Sequence, residues 1–263
     1  MTQEEFIINL FCRVDDKMTS ERQDSRAKLS KSELVTIGLL FALKGTSQHS
    51  FYRWLRQNFS HLFPVLPERT RLFRRLKTHF RLTDIFLAEA TLLGVADSFG
   101  IELCHPIRER RQPDKKRFAR KGLSNWRWIV GGKLCIIANK FGLISSYQAA
   151  TANVSDCSFH GLIERFDQRM IVYVDKGFRS KKKNPANMKV CQRGQANERM
   201  IIETVFSLLT QVCNLKRLRQ RVFEYIEMRL AFTVAIFNIL QQWNGLQFDN
   251  QGVVHLSMAR FSL

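Results

Sequence analysis

The chain has 263 residues, 45% of them apolar and 25% charged. That is long enough for one or two domains with their own core and excludes global disorder, a collagen repeat and a disulfide scaffold. The net charge of +19 and pI near 10.2 attract polyanions, nucleic acid first and an anionic membrane second.

The first stretch, MTQEEFIINLF, has acids where a secretory signal needs bases. The most apolar run, Leu230 to Leu240, is broken by Thr233 and Asn238 and falls short of the roughly 20 residues that cross a bilayer. The six cysteines form no C-x-x-C pair, so neither zinc fingers nor a redox motif is expected. These features predict a soluble, reduced, cytoplasmic protein.

Residues 1–50 carry seven bases and seven acids, whereas residues 51–90 carry eight bases against three acids. Both stretches read as helical. Ser30 and Ser32 offer caps before an apolar run from Leu34 to Leu43, which Gly45-Thr46-Ser47 breaks. A second helix carries Phe51, Trp54 and Leu55, and Pro64 and Pro67 end the segment after it. A basic helix then starts near Glu68, with Arg69, Arg71, Arg74, Arg75 and Lys77 among Leu72, Phe73 and Leu76. Short helices joined by tight turns suit a helix-turn-helix-like DNA reader, and equally a plain bundle with a solvated basic face.

From residue 92 the pattern turns β-like. Leu92 to Ala96 is an apolar strand running into Asp97, and Trp128 to Ile137, the turn at 139–142 and Leu143 to Ala149 form a hairpin. A short helix follows Asn153–Asp156, with Phe159, Leu162, Ile163 and Phe166 at helical spacing. Met170 to Val174 is a buried strand ending at Asp175. Asn197 caps a helix reaching Asn214, and a last apolar helix spans Val222 to Trp243. The expected fold is a mixed α/β sheet with helices on its faces.

Two strands thus end in aspartates, where α/β sites usually form. The third acid, Glu203, shares a helix face with Arg199, Ser207 and Thr210, within about 80°. The opposite face, Ile201, Val205, Leu208 and Val212, is expected on the sheet. Three carboxylates from two strands and a helix suit a pair of divalent cations, and oxygen-only ligation suits Mg²⁺ or Mn²⁺. Each acid alone also has a plain reading: turn residues for Asp97 and Asp175, an i, i+4 pair with Arg199 for Glu203.

The segments VADSFGIELCHPIRERR, NWRWIVGGKLCIIANKFG, ATANVSD, YVDKGFRSKKKNPANMKVCQRG and NERMIIETVFSLLTQVC resemble bacterial insertion-sequence transposases of the DDE class. The resemblance implies a ribonuclease-H-like catalytic core in which Asp97, Asp175 and Glu203 are the catalytic acids, bind two Mg²⁺ or Mn²⁺ ions, and cut and rejoin DNA. Some related transposases have a Tyr three residues before the Arg at 199 and a Lys seven after the Glu. Ala196 and Thr210 stand there in this chain.

The basic clusters agree. Arg108, Arg110, Arg111, Lys115, Lys116 and Arg117 precede the hairpin, and Lys181, Lys182 and Lys183 follow Asp175. With Arg69, Arg71, Arg74, Arg75 and Arg199 they are the expected DNA contacts. Trp126 and Trp128 either stack on an unpaired base or enter the core. His105 and His160 have no partner histidine at metal spacing and read as structural or phosphate-contacting.

The reading is a transposase with a helical DNA-binding region over 1–90 and a ribonuclease-H-like catalytic domain over 91–263. Its expected partner is double-stranded DNA, the element's terminal repeats and its target, bound as a homo-oligomer in the nucleoid without a membrane. The alternative is a catalytically inactive DNA-binding protein derived from a transposase.

Overall fold

The computed structural model describes residues 1–19, 28–105, 120–124, 127–191, 197–220, 222–243, 245–250 and 254–261. Arg108, Arg110, Arg111, Lys115, Lys116, Arg117 and Trp126 lie outside the described residues, as does the side chain of Arg199.

Helix α1 (Gln3–Lys17) starts in a capping box between Thr2 and Glu5 and buries Phe6, Ile7, Leu10 and Val14 on one stripe. Helix α2 (Lys31–Lys44) is capped the same way by Ser30 and Glu33, and it ends at Gly45, whose φ of 64° is left-handed. Every residue of α2 from Leu34 to Leu43 is buried, so it is the central helix. Around it lie α3 (Gln48–Phe59), capped by Ser47, and α4 (Arg69–His79), capped by Glu68.

Helix α7 (Phe223–Gln242) packs along α2. A Cβ at Gly38 would strike the Phe232 ring, so this glycine lets the two helices close. Arg229 on α7 is 1% exposed and donates to the carbonyls of Phe41 and Ala42 in the last turn of α2. It thereby satisfies acceptors that a helix end leaves open.

Among the described residues the main sheet has six strands: β1 (Leu93–Cys104), β2 (Arg120–Ser124), β3 (Arg127–Asn139), β4 (Ile144–Thr151), β5 (Ile171–Val174) and β6 (Met188–Val190). Their order is β2-β3-β1-β5-β6, with β4 beside β2 on the same edge of β3. β1 is antiparallel to β3 and parallel to β5, and β5 is parallel to β6. The mixed sheet flanked by helices is the expected ribonuclease-H-like class.

One sheet face carries Val95, Ile101, Leu134 and Ile136 into a core shared with α1, α2, α7 and α6 (Asn197–Gln211). The other face carries Ala96, Cys135 and Ile137 against Leu162 and Ile163 of α5 (His160–Glu164). Asn238 of α7 joins helices and sheet. Its Oδ1 accepts from the Ile144 amide, and its Nδ2 donates to the carbonyls of Ile144 and Phe86. A small antiparallel strand pair, β7 (Gln247–Phe248) and β8 (Val254–His255), and a 3₁₀ turn at Ala259–Phe261 follow. Among the described residues no helix is long and apolar enough to cross a membrane.

Some elements differ from expectation. β1 does not stop at Asp97 but runs on to Cys104, because Phe99 and Ile101 keep alternating toward the core. The side chain of Asn197, at the start of α6, lies outside the described residues. The buried stripe of α6 is Ile202, Val205, Phe206 and Leu209, with Val212 just beyond its end. Leu208 and Ile201 are only half-buried, because Phe206 takes the seat on the sheet.

Candidate active site

The parallel register of β1 and β5 pairs Val95 with Tyr173. Two residues further along both strands stand Asp97 and Asp175, which therefore lie level and on one sheet face. β5 ends at Val174, whereas β1 continues alongside β3, with Asp97 opposite Ile136. The aspartate within β1 thus gains an open flank where its parallel neighbour stops.

Asp97 Oδ1 accepts from the Ser98 amide at 2.7 Å. Asp175 Oδ1 accepts from the Gly177 amide at 2.8 Å and caps the 3₁₀ turn Lys176–Phe178. The turn reading of Asp175 is therefore also correct, and it holds the carboxylate at the strand end.

Helix α6 docks on this face through Phe206, stacked on Phe99 with ring centroids 5.1 Å apart. Phe99 lies two residues after Asp97 on the same side of β1, and Phe206 lies one turn after Glu203. The stack therefore sets Glu203 over the aspartates. Asp97, Asp175 and Glu203 line one cavity of about 620 Å³. Ser207, Thr210 and Gln211 of α6 line it too, as does Lys216, whose Nζ lies 5.1 Å from the Phe99 ring centroid.

Two further lining residues were not expected from the sequence, Lys133 and Asp156. Lys133 is 8% exposed and donates to Asp156 Oδ1 at 3.0 Å and to the Val154 carbonyl at 3.1 Å. A lysine inside an apolar strand was the legible signal for it, since such a group needs a partner. Cys135 senses the acids electrostatically. Burial raises its thiol well above the usual range, and the charges of Asp97 and Asp156 raise it further.

The donor set is oxygen-only, which fits a hard divalent cation. Among the described residues, no three of His, Cys, Asp and Glu converge on a single ion. Mg²⁺ ordinarily takes one or two protein carboxylates and completes its shell with substrate phosphates and water. Carboxylates spread around one cavity fit that mode better than a closed protein cage.

The charged surface is less uniform than expected. Lys181, Lys182 and Lys183 are exposed just beyond Asp175, and Arg71 and Arg74 are exposed on α4. Arg69 and Arg75 are half-buried, and Arg75 donates to the Leu29 carbonyl at 3.4 Å. Arg53 and Arg56 of α3, missed in the sequence, line a groove of about 590 Å³ together with Arg69, Glu68 and His49. Their i, i+3 spacing, on the helix face away from Phe51, Leu55 and Phe59, was the available clue. Trp128 is 58% exposed, with Lys121 Nζ 5.0 Å from its ring centroid, so it is not a core residue. His160 bonds through Nε2 to the Phe178 carbonyl at 2.6 Å and has a structural role.

The sequence of this sheet is also recognisable. Residues 87–188 match the family model of the transposase DDE domain. The matched segment covers β1 to the start of β6 and contains Asp97, Lys133, Asp156 and Asp175. Glu203 lies beyond it. No curated protein and no solved structure matches the chain.

Proposed function

We propose that this chain is an insertion-sequence transposase that cuts and rejoins DNA by divalent-metal-dependent phosphoryl transfer. The observation that carries the reading is the level placement of Asp97 and Asp175 beneath Glu203 around one cavity. Asp97, Asp175 and Glu203 would hold the ions, Mg²⁺ or Mn²⁺. When bound, two such ions activate the attacking oxygen and stabilise the leaving one.

The remaining work falls to the chain's own side chains. Lys181, Lys182 and Lys183 neutralise phosphates beside Asp175. Lys216 offers an ammonium at the cavity wall. The region 1–90 recognises the element's ends through the groove between α3 and α4, where Arg53, Arg56 and Arg69 meet. Exposed Arg71 and Arg74 extend that surface, and arginines there supply guanine as well as phosphate contacts. Arg75, turned toward Leu29, contributes less.

The test is a supercoiled plasmid carrying the DNA that flanks the gene, incubated with the full chain in Mg²⁺, Mn²⁺ or chelator. Strand cleavage that requires the metal and ends at short inverted repeats supports the reading. Binding without cleavage in either metal would make the chain a DNA-binding protein derived from a transposase.

A further inference from the structure

Asp156 takes no part in the catalytic assignment above, yet it is tied to both sides of the acid cavity. Its Oδ1 accepts from Ser98 Oγ at 2.5 Å and from Lys133 Nζ at 3.0 Å. Ser98 is the residue after Asp97 and points to the opposite sheet face, toward α5. The other oxygen, Oδ2, lies against Gly177, the glycine whose amide binds Asp175. A Cβ at Gly177 would fall 2.8 Å from Asp156 Oδ2 and 3.0 Å from Asp175 Oδ1, so the two carboxylates flank that glycine closely. The segment carrying Asp156 also grips the same turn through Cys157, whose Sγ reaches the Phe178 carbonyl at 3.4 Å, and through His160.

We infer that Asp156, neutralised by Lys133, is a positioning residue that locks β1 at Asp97 and the end of β5 at Asp175 at the spacing their metal ions require. The inference rests on the metal-dependent reading above. Three chain segments distant in sequence meet at one carboxylate oxygen or its partner: β1 through Ser98, β3 through Lys133, and the turn after β5 through Gly177. Removing that carboxylate frees β1 and the 175–178 turn to shift against each other. It also leaves the Lys133 ammonium without its counter-charge, beside the cavity. Lys133 is held in place in this arrangement, because two of its three N–H donors already face Asp156 and the Val154 carbonyl.

Outer groups that orient metal ligands typically change metal affinity about 10–100-fold when removed. The experiment measures Mn²⁺ binding to the full chain without DNA, from the electron paramagnetic resonance signal of free Mn²⁺, alongside thermal unfolding. Asp156→Ala is expected to weaken Mn²⁺ binding at least about tenfold. Asp156→Asn, which keeps an acceptor oxygen for Ser98 and Lys133, is expected to recover most of that loss. Ser98→Ala, which removes one tie and leaves the ion pair, is expected to fall between Asp156→Ala and the unaltered chain. DNA binding in chelator should be the same for all.

A folded Asp156→Ala chain that binds Mn²⁺ as the unaltered chain does overturns the inference. If Asp156→Ala fails to fold, Ser98→Ala decides, and unchanged Mn²⁺ affinity there overturns it. A loss that Asp156→Asn shares in full overturns positioning in favour of direct ligation by the carboxylate. Saturable Mn²⁺ binding that is absent even from the unaltered chain overturns the metal-dependent reading itself, and the inference with it.

Discussion

Arg229 and Lys133 are both buried cations, one among the helices and one in the sheet, and their partners differ. Arg229 donates to two backbone carbonyls at the end of α2 and packs over the Phe41 ring, 4.7 Å from its centroid. No carboxylate pairs with it among its described partners, and burial lowers its guanidinium to about 9. Lys133 instead pairs with a carboxylate whose neighbours are the candidate catalytic acids. In the helices a buried charge joins two secondary-structure elements through backbone carbonyls. In the sheet it is paired at the wall of a cavity. Burial alone therefore does not mark function, whereas the partner and the adjoining space do.

That contrast is sharpest under substitution. Asp97→Asn, Asp175→Asn and Glu203→Gln should each lower metal-dependent cleavage at least about a thousandfold, the scale of several kcal/mol of lost transition-state stabilisation. Unfolding temperature and DNA binding in chelator should stay near those of the unaltered chain. Retained cleavage in any one variant removes that residue from the site.

Arg229→Ala should do the reverse. It uncaps two buried carbonyls and leaves a void, which together cost about 3–4 kcal/mol of stability. Urea unfolding measures it, and a cost below about 1 kcal/mol would show that the end of α2 rearranges to find other partners.

Changes on the basic surface should be milder. Replacing Lys181, Lys182 and Lys183 together with Ala should flatten the dependence of log K on log[salt] by up to about 2.7 on duplex DNA, if each meets one phosphate. An unchanged slope would mean that this run is merely solvated. Smaller still, Arg71→Ala with Arg74→Ala should reduce preference for the element's ends by about 1–3 kcal/mol while non-specific binding weakens little. Equal weakening on scrambled DNA would remove α4 from sequence reading.

Local signals in the sequence were the legible ones. The Ser30 cap, the Gly45 stop and the 139–142 turn each depend on a few adjacent residues, and the elements they bound appear where expected. The level placement of the two aspartates was not readable, because it depends on strand register across 78 positions of chain. Asp156 was hidden for the same reason. Its partners Ser98 and Lys133 lie 58 and 23 residues away, so ATANVSD shows only a helix start. The extension of β1 was written in the alternation of Phe99, Ile101 and Leu103. The shorter continuous run before Asp97 outweighed it, since unbroken apolarity is the louder pattern in a sheet covered on both faces.

The core that α2 shares with α7 bears on how the protein is made. α2 ends at Lys44 and α7 begins at Phe223, so roughly 180 residues separate them during synthesis. At about 5–20 residues per second, the most apolar helix of the early chain waits some 10–40 seconds for its cover. Until then its Leu34–Leu43 surface is available to chaperones or to other nascent chains. Premature termination before α7 would yield a product that cannot shelter α2, and proteolysis would be its expected fate. The intact helical part, and any DNA recognition it performs, thus exists only after the distant end of the chain has been translated.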